Sequence, residues 1–222
     1  MMEKKSQLIK YILSDFLTAN LSWLIFNIVR YYLLAQYEGF GSITSFLSYN
    51  QVIKGQIIIP FGWLILHYYS GYYNKPLEKS RLTEFTTTFG VALLGTIGIF
   101  FTLLLKNLPE SFRVYYEQFI SLFLFSFIFT YIGRYFITSQ STKKIQKREW
   151  TIKAIILGNG EKADQIKKEL EKLYDSMGYT ILGFINIDSI SRNSSTVQLS
   201  TLGDLENLES IILENKIEEL IL

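Results

Sequence analysis

Four long apolar segments, at residues 12–34, 52–69, 85–105 and 119–137, follow one another near the start of this chain and dictate the solvent it folds in. A bilayer's hydrocarbon core is about 30 Å thick, and a helix crosses it with about 20 mostly apolar residues. The third and fourth segments, "FTTTFGVALLGTIGIFFTLLL" and "FISLFLFSFIFTYIGRYFI", are the clearest. The second is the weakest, because Lys54 and Pro60 interrupt it. The pattern predicts a bundle of four transmembrane helices over residues 1–140, a basic linker at 141–150, and a different kind of domain over 151–222.

The first apolar run is too long for a signal peptide and has no small-residue cleavage site after it, so it reads as an uncleaved span. Lysine and arginine in short loops set orientation. Lys4, Lys5 and Lys10 precede the first span, and residues 35–51 hold no Lys or Arg. Lys75, Lys79 and Arg81 follow the second span, and Lys143, Lys144, Lys147 and Arg148 follow the fourth. The third connection carries fewer, Lys106 and Arg113. This alternation predicts a multi-pass protein of the bacterial inner membrane with both termini cytoplasmic. Tyr31, Tyr32, Tyr68, Tyr69, Tyr72, Tyr73, Tyr115 and Tyr116 cluster at the span ends, where rings with a polar tip settle at headgroup depth.

Composition removes several chemistries. The chain has no cysteine, which excludes disulfides, thiolate metal sites and a cysteine nucleophile. Its one histidine, His67, stands between an apolar run and two tyrosines and reads as an interfacial residue. Asp15, near the cytoplasmic end of the first span, has Asn20 and Asn27 near its helical phase. Snorkelling to the interface is expected of it, ahead of pairing with Lys10 or a lipid headgroup. Gly90, Gly95 and Gly98 are expected to permit close helix packing rather than line a pore.

Residues 1–142 carry 11 basic against 7 acidic side chains, and residues 143–222 carry 11 against 13, so the second part has the balance of an ordinary soluble domain. Its "TIKAIILG" is short and β-branched, as a buried strand is. "GNGEKA" follows, then a helix with Ala163, Ile166, Leu170 and Leu173 on one stripe. Gly158, Gly160 and Ala163 fit G-x-G-x-x-G/A, and with Asn159 they form a tight turn whose helix N-terminal amides could meet phosphate oxygens. A second strand over residues 179–187 ends at Asp188, a candidate for a ribose hydroxyl, though further from the turn than the usual spacing of about 20 residues. The alternative is a turn kept for packing that binds no nucleotide. Asp204 is the expected N-cap of a helix over 205–214, Asn215 its expected end, and "IEELIL" a third strand. The fold class is therefore a membrane α-helical bundle followed by an α/β Rossmann-like domain. That domain reads as incomplete at the C-terminus, because a three-strand parallel sheet would leave a long apolar edge.

The chain resembles the N-terminal region of bacterial polyprenyl-phosphate sugar phosphotransferases, including the undecaprenyl-phosphate glucose phosphotransferases. The four spans, "GYYNKPLEKSRLTEF" between spans two and three, "AIILGNGEKA", "GYTILGFINID" and "LGDLENLESIILENKIEELIL" carry the resemblance, which covers essentially the whole chain. It implies transfer of a sugar-1-phosphate from a nucleotide sugar to undecaprenyl phosphate, the first step of exopolysaccharide, capsule or O-antigen synthesis. It implies as well a CoA-binding-like nucleotide fold with regulatory or dimerising roles, hence a homo-oligomer. The family's magnesium and its Asp–Glu nucleophile pair belong to a domain C-terminal to this region, so no catalytic residue is carried over and this chain alone is not expected to catalyse transfer. Membrane, polyprenyl phosphate and nucleotide sugar are the expected partners, and nucleic acid is not.

Three rivals stand beside this. A membrane-bound nucleotide-sugar epimerase or dehydratase resembles the same layout; the "NKPLEKSRLTEF" loop favours the transferase. A nucleotide-gated channel would need a filter such as T-V-G-Y-G, which the chain lacks. A non-enzymatic scaffold or nucleotide sensor would need only the two parts as they are.

Overall fold

Among the described residues of a computed structural model of the chain, three helices are long and apolar enough to cross a membrane: Lys4–Leu34, Arg81–Thr102 and Arg113–Ile145. The structure describes residues 2–35, 39–74, 76, 79–104, 112–147, 149–158, 169, 179–186 and 201–221. They form two compact units, Met1–Ser139 and Gln140–Leu222.

The first unit holds α1 (Met2–Arg30), the short α2 (Ile43–Leu47), α3 (Asn50–Tyr69), α4 (Arg81–Ile99) and most of α5 (Phe112–Gln146). Wider π-turns extend α1 through Tyr31–Ala35 and α4 through Phe100–Leu104. Helix α2 was not expected; Ser42 caps it, its side chain accepting from the Ser45 amide, and Phe46 anchors it beside Tyr31 and Phe40. Ser80 caps α4 the same way through the Thr83 amide. Helix α3 is continuous through Pro60, carries Lys54, Gln56 and His67 within it, and is not one of the three candidate spans.

Beside apolar clusters such as Trp23, Phe26 and Leu122, the bundle buries a row of polar side chains and turns large apolar ones outward. On α5, Ile120, Leu124, Ile128, Ile132 and Phe136 point outward, while Ser126, Thr130, Arg134 and Thr138 are buried at the same four-residue interval. Apolar surface costs nothing against lipid tails, so polar side chains and small residues make the helix contacts. The Ser22 hydroxyl donates to the Phe125 carbonyl at 3.0 Å, tying α1 to α5, and Gln56 donates to the Asn20 side chain and carbonyl, tying α3 to α1. Two glycines allow close approach. A Cβ on Gly95 would lie 2.1 Å from the Trp63 ring, and one on Gly133 would lie 2.5 Å from the Ser14 hydroxyl. Gly90 and Gly98, expected to share that role, have open space where a Cβ would stand. Between α4 and α5 the seam is aromatic, with Phe85 and Phe89 set edge-on to Phe127 at 5.4 and 5.8 Å.

The second unit is a parallel four-stranded sheet in the order β3-β2-β1-β4, from β1 (Ile152–Leu157), β2 (Tyr179–Asn186), β3 (Thr201–Asp204) and β4 (Glu219–Ile221). Both faces are apolar, as a parallel sheet requires: Ile155, Ile185 and Ile211 cluster on one, Ile156 and Phe184 on the other. Ile211 comes from α6 (Leu208–Asn215). One expectation is corrected here. Residues 201–204 form a strand that Asp204 ends, a 3-10 turn, Leu205–Asn207, intervenes, and the helix begins at Leu208 with Asn207 in the N-cap position. The helix ends at Asn215, as expected; Lys216 after it is left-handed, φ 53°, and the Asn215 side chain donates back to the Ile211 carbonyl.

Candidate functional site

A buried polar cluster joins α1, α4, α5 and the α3–α4 connection. Its centre is Arg134, wholly buried on α5. The guanidinium donates from Nε to Asp15 Oδ1 at 2.9 Å and from Nη2 to Asp15 Oδ2 at 2.7 Å, the two-pronged fit that guanidinium and carboxylate planes allow. Nη1 donates to the Thr88 hydroxyl of α4 at 2.9 Å. The guanidinium lies over the Tyr72 ring, 3.5 Å from its central carbon to the ring centre.

The connection between α3 and α4 folds its side chains into the bundle. Tyr73 donates to Asp15 Oδ2 at 2.8 Å, and Tyr72 donates to Glu84 Oε2 at 2.5 Å. Thr138 of α5 donates to Glu84 Oε1 at 2.7 Å and shares a hydrogen bond with the Tyr11 hydroxyl at 2.8 Å. Lys79 donates to the Tyr72 carbonyl, its ammonium 3.9 Å from the centre of the Tyr72 ring. Two carboxylates and two cations thus balance, and each carboxylate accepts from neutral donors as well. Burial pushes the Tyr72 phenol far above the ordinary tyrosine range, against the pull of Arg134 and with the help of Glu84. Tyr73 moves the same way, through burial first and the Asp15 carboxylate second. Both phenols are therefore held as neutral donors.

Such a cluster is suited to fixing helices, because Arg134, Asp15, Glu84, Thr88 and Thr138 are buried and bonded to one another or to Tyr72 and Tyr73. Breaking a buried pair by removing one partner costs about 3–5 kcal/mol, mostly from the charge left behind. Among the described residues no group of three or more His, Asp or Glu side chains gathers as a metal site.

Asp15 does not snorkel. Its side chain is wholly buried and its partner is Arg134, while Lys10 is exposed. Asn20 and Asn27 bond elsewhere, Asn20 with Gln56 and Asn27 with the Trp23 carbonyl. His67 is not at a wet interface either: it is buried between Trp63 and Tyr72, and its Nδ1 has no partner among the described residues. Arg134, Glu84, Thr88, Thr138 and Tyr11 escaped the sequence reading. One signal for them was present, since a lone arginine in "FTYIGRYF" is an intramembrane charge, and such charges face a partner by default.

In the second unit, the expected nucleotide turn begins where β1 ends. The Gly158 amide donates to the Ile185 carbonyl at 3.1 Å, prolonging the β1–β2 pairing, and a Cβ there would meet open space. Asn159, Gly160, Ala163 and Asp188 lie outside the described residues. No protein-family model matches this chain, and no curated protein matches it.

Proposed function

We propose that this chain is the membrane scaffold and nucleotide-fold region of a bacterial enzyme that transfers a sugar-1-phosphate from a nucleotide diphosphate sugar to a polyprenyl phosphate, releasing the nucleoside monophosphate. The observation that carries the reading is the fate of the loop at residues 71–85. One of the segments on which the resemblance to these transferases rests contributes Tyr72, Tyr73, Lys79 and Glu84 to the polar cluster, so its sequence is constrained by the bundle and is not a passive linker.

Two further features support it. Helix α3 turns Ile53, Ile57, Ile58, Phe61 and Ile65 outward, as a lipid-facing fourth span would. The parallel order β3-β2-β1-β4 is that of the first four strands of a doubly wound dinucleotide-binding sheet, and the Gly-rich turn follows β1, where such folds bind phosphate. With the basic loops on the cytoplasmic side, that sheet would stand where a soluble sugar nucleotide meets a lipid carrier. No residue of this chain is assigned to catalysis.

The test is genetic and biochemical. Membranes from the source bacterium are incubated with labelled nucleotide sugars and undecaprenyl phosphate, with and without disruption of this gene. Loss of a polyprenyl-diphosphate sugar on disruption supports the reading. Unchanged lipid product, or loss of a dehydrated or epimerised nucleotide sugar instead, overturns it.

A further inference from the structure

The Asp15–Arg134 pair joins the first long helix to the last, and neither charge has any other escape. Both side chains are wholly buried, and each sits in a run whose outer face is apolar, with Leu13 and Leu17 around Asp15 and Ile132 and Phe136 around Arg134. An isolated helix carrying either charge is a poor membrane span, because a lone ion has no counter-charge in hydrocarbon. The two become acceptable together, in the geometry that α1 and α5 reach by docking along Ser14, Thr18 and Ser22 against Phe125, Thr130 and Gly133.

We propose that this pair is an assembly latch: α1 and α5 hold their places in the bilayer only as a charge-neutral pair, and the α3–α4 connection then closes over it through Tyr72 and Tyr73. Three structural facts favour this over a simple packing contact. Thr88 on α4 takes the remaining guanidinium edge, so the latch joins three helices. Tyr73 shares Oδ2 of the same carboxylate that Arg134 holds, so the connection finds its full set of partners only once the pair exists. Gly133 stands one residue before Arg134 and brings the α5 backbone against Ser14, one residue before Asp15, which sets the charges at bonding distance. The inference is independent of the transferase reading.

The experiment leaves the helix contact itself unchanged. The full chain is expressed in native membranes, extracted in mild detergent, and the fraction recovered as a monodisperse folded species is measured. Asp15→Leu or Arg134→Leu alone lowers that fraction at least about five-fold, and both together restore it to within about two-fold of the parent, the non-additivity expected of a buried ion pair. A single variant that is degraded rather than inserted gives the same loss, and the double variant then decides. Single variants recovered as well as the parent overturn the proposal, and so does a double variant as poor as either single.

Discussion

Arg134 holds Asp15 by two hydrogen bonds across 119 residues of sequence, and the same guanidinium lies over the Tyr72 ring, so α1, α5 and the α3–α4 connection share one buried cation. Polar contacts of this kind can organise a bundle in lipid because the apolar side chains gain nothing by choosing one another over the surrounding tails. The stripe of Ser126, Thr130, Arg134 and Thr138 on α5 is the organising face, and the isoleucine and phenylalanine stripe behind it is the solvent-facing one.

Tyr72→Phe removes the donor to Glu84 while keeping the ring against Arg134. A buried acceptor that loses its partner costs about 1–3 kcal/mol, and a Tm drop of a few degrees in detergent is expected.

The same tyrosines give the stability a pH edge. Both phenols are raised in the folded state, so the fold retains protons that the unfolded chain releases above its ordinary value of about 10. Their contribution is complete below about pH 10 and is lost as pH rises beyond it. Melting followed from about pH 8 to 11 should show that decline, flatter in Tyr72→Phe.

Gly95→Ala drives a methyl group into Trp63, whereas Gly90→Ala and Gly98→Ala meet open space. The first is expected to destabilise by about 1–3 kcal/mol, as overpacking does, and the other two to be neutral or slightly stabilising. A thermal-shift comparison of the three variants separates them; equal effects would show that Trp63 does not seat on Gly95.

Topology is read with single cysteines at exposed Ser45 and exposed Lys147. An impermeant maleimide applied to right-side-out vesicles should label Ser45→Cys and spare Lys147→Cys. Labelling of both from one side would remove α3 from the list of spans.

Calorimetry of the purified chain with nucleotides, compared with Gly160→Asp, tests the turn after β1. Binding that Gly160→Asp abolishes would assign the turn to phosphate, because the added carboxylate repels it where the backbone must approach closely. Absence of binding in the parent would leave the turn a packing role.

What the residues determine locally is legible in the sequence. Bilayer partition is a sum over one contiguous window, so three long apolar helices were legible, and β1, β2 and β4 stood out as short β-branched or apolar runs. β3 did not, because four residues, "TLGD", carry too little pattern and become a strand only by pairing with β2. The left-handed turn at Lys216 was hidden for the same reason: no glycine announces it. Asp15 was legible as a charge in an apolar helix, but its fate was not. Helical phase lists the neighbours a residue has on its own helix, and the partner that decided between snorkelling and burial sits on a helix far along the chain. Only the tertiary structure brings Asp15, Arg134, Glu84 and the two tyrosines together, because charge pairing depends on which distant segments meet, while partition into lipid depends on each segment alone.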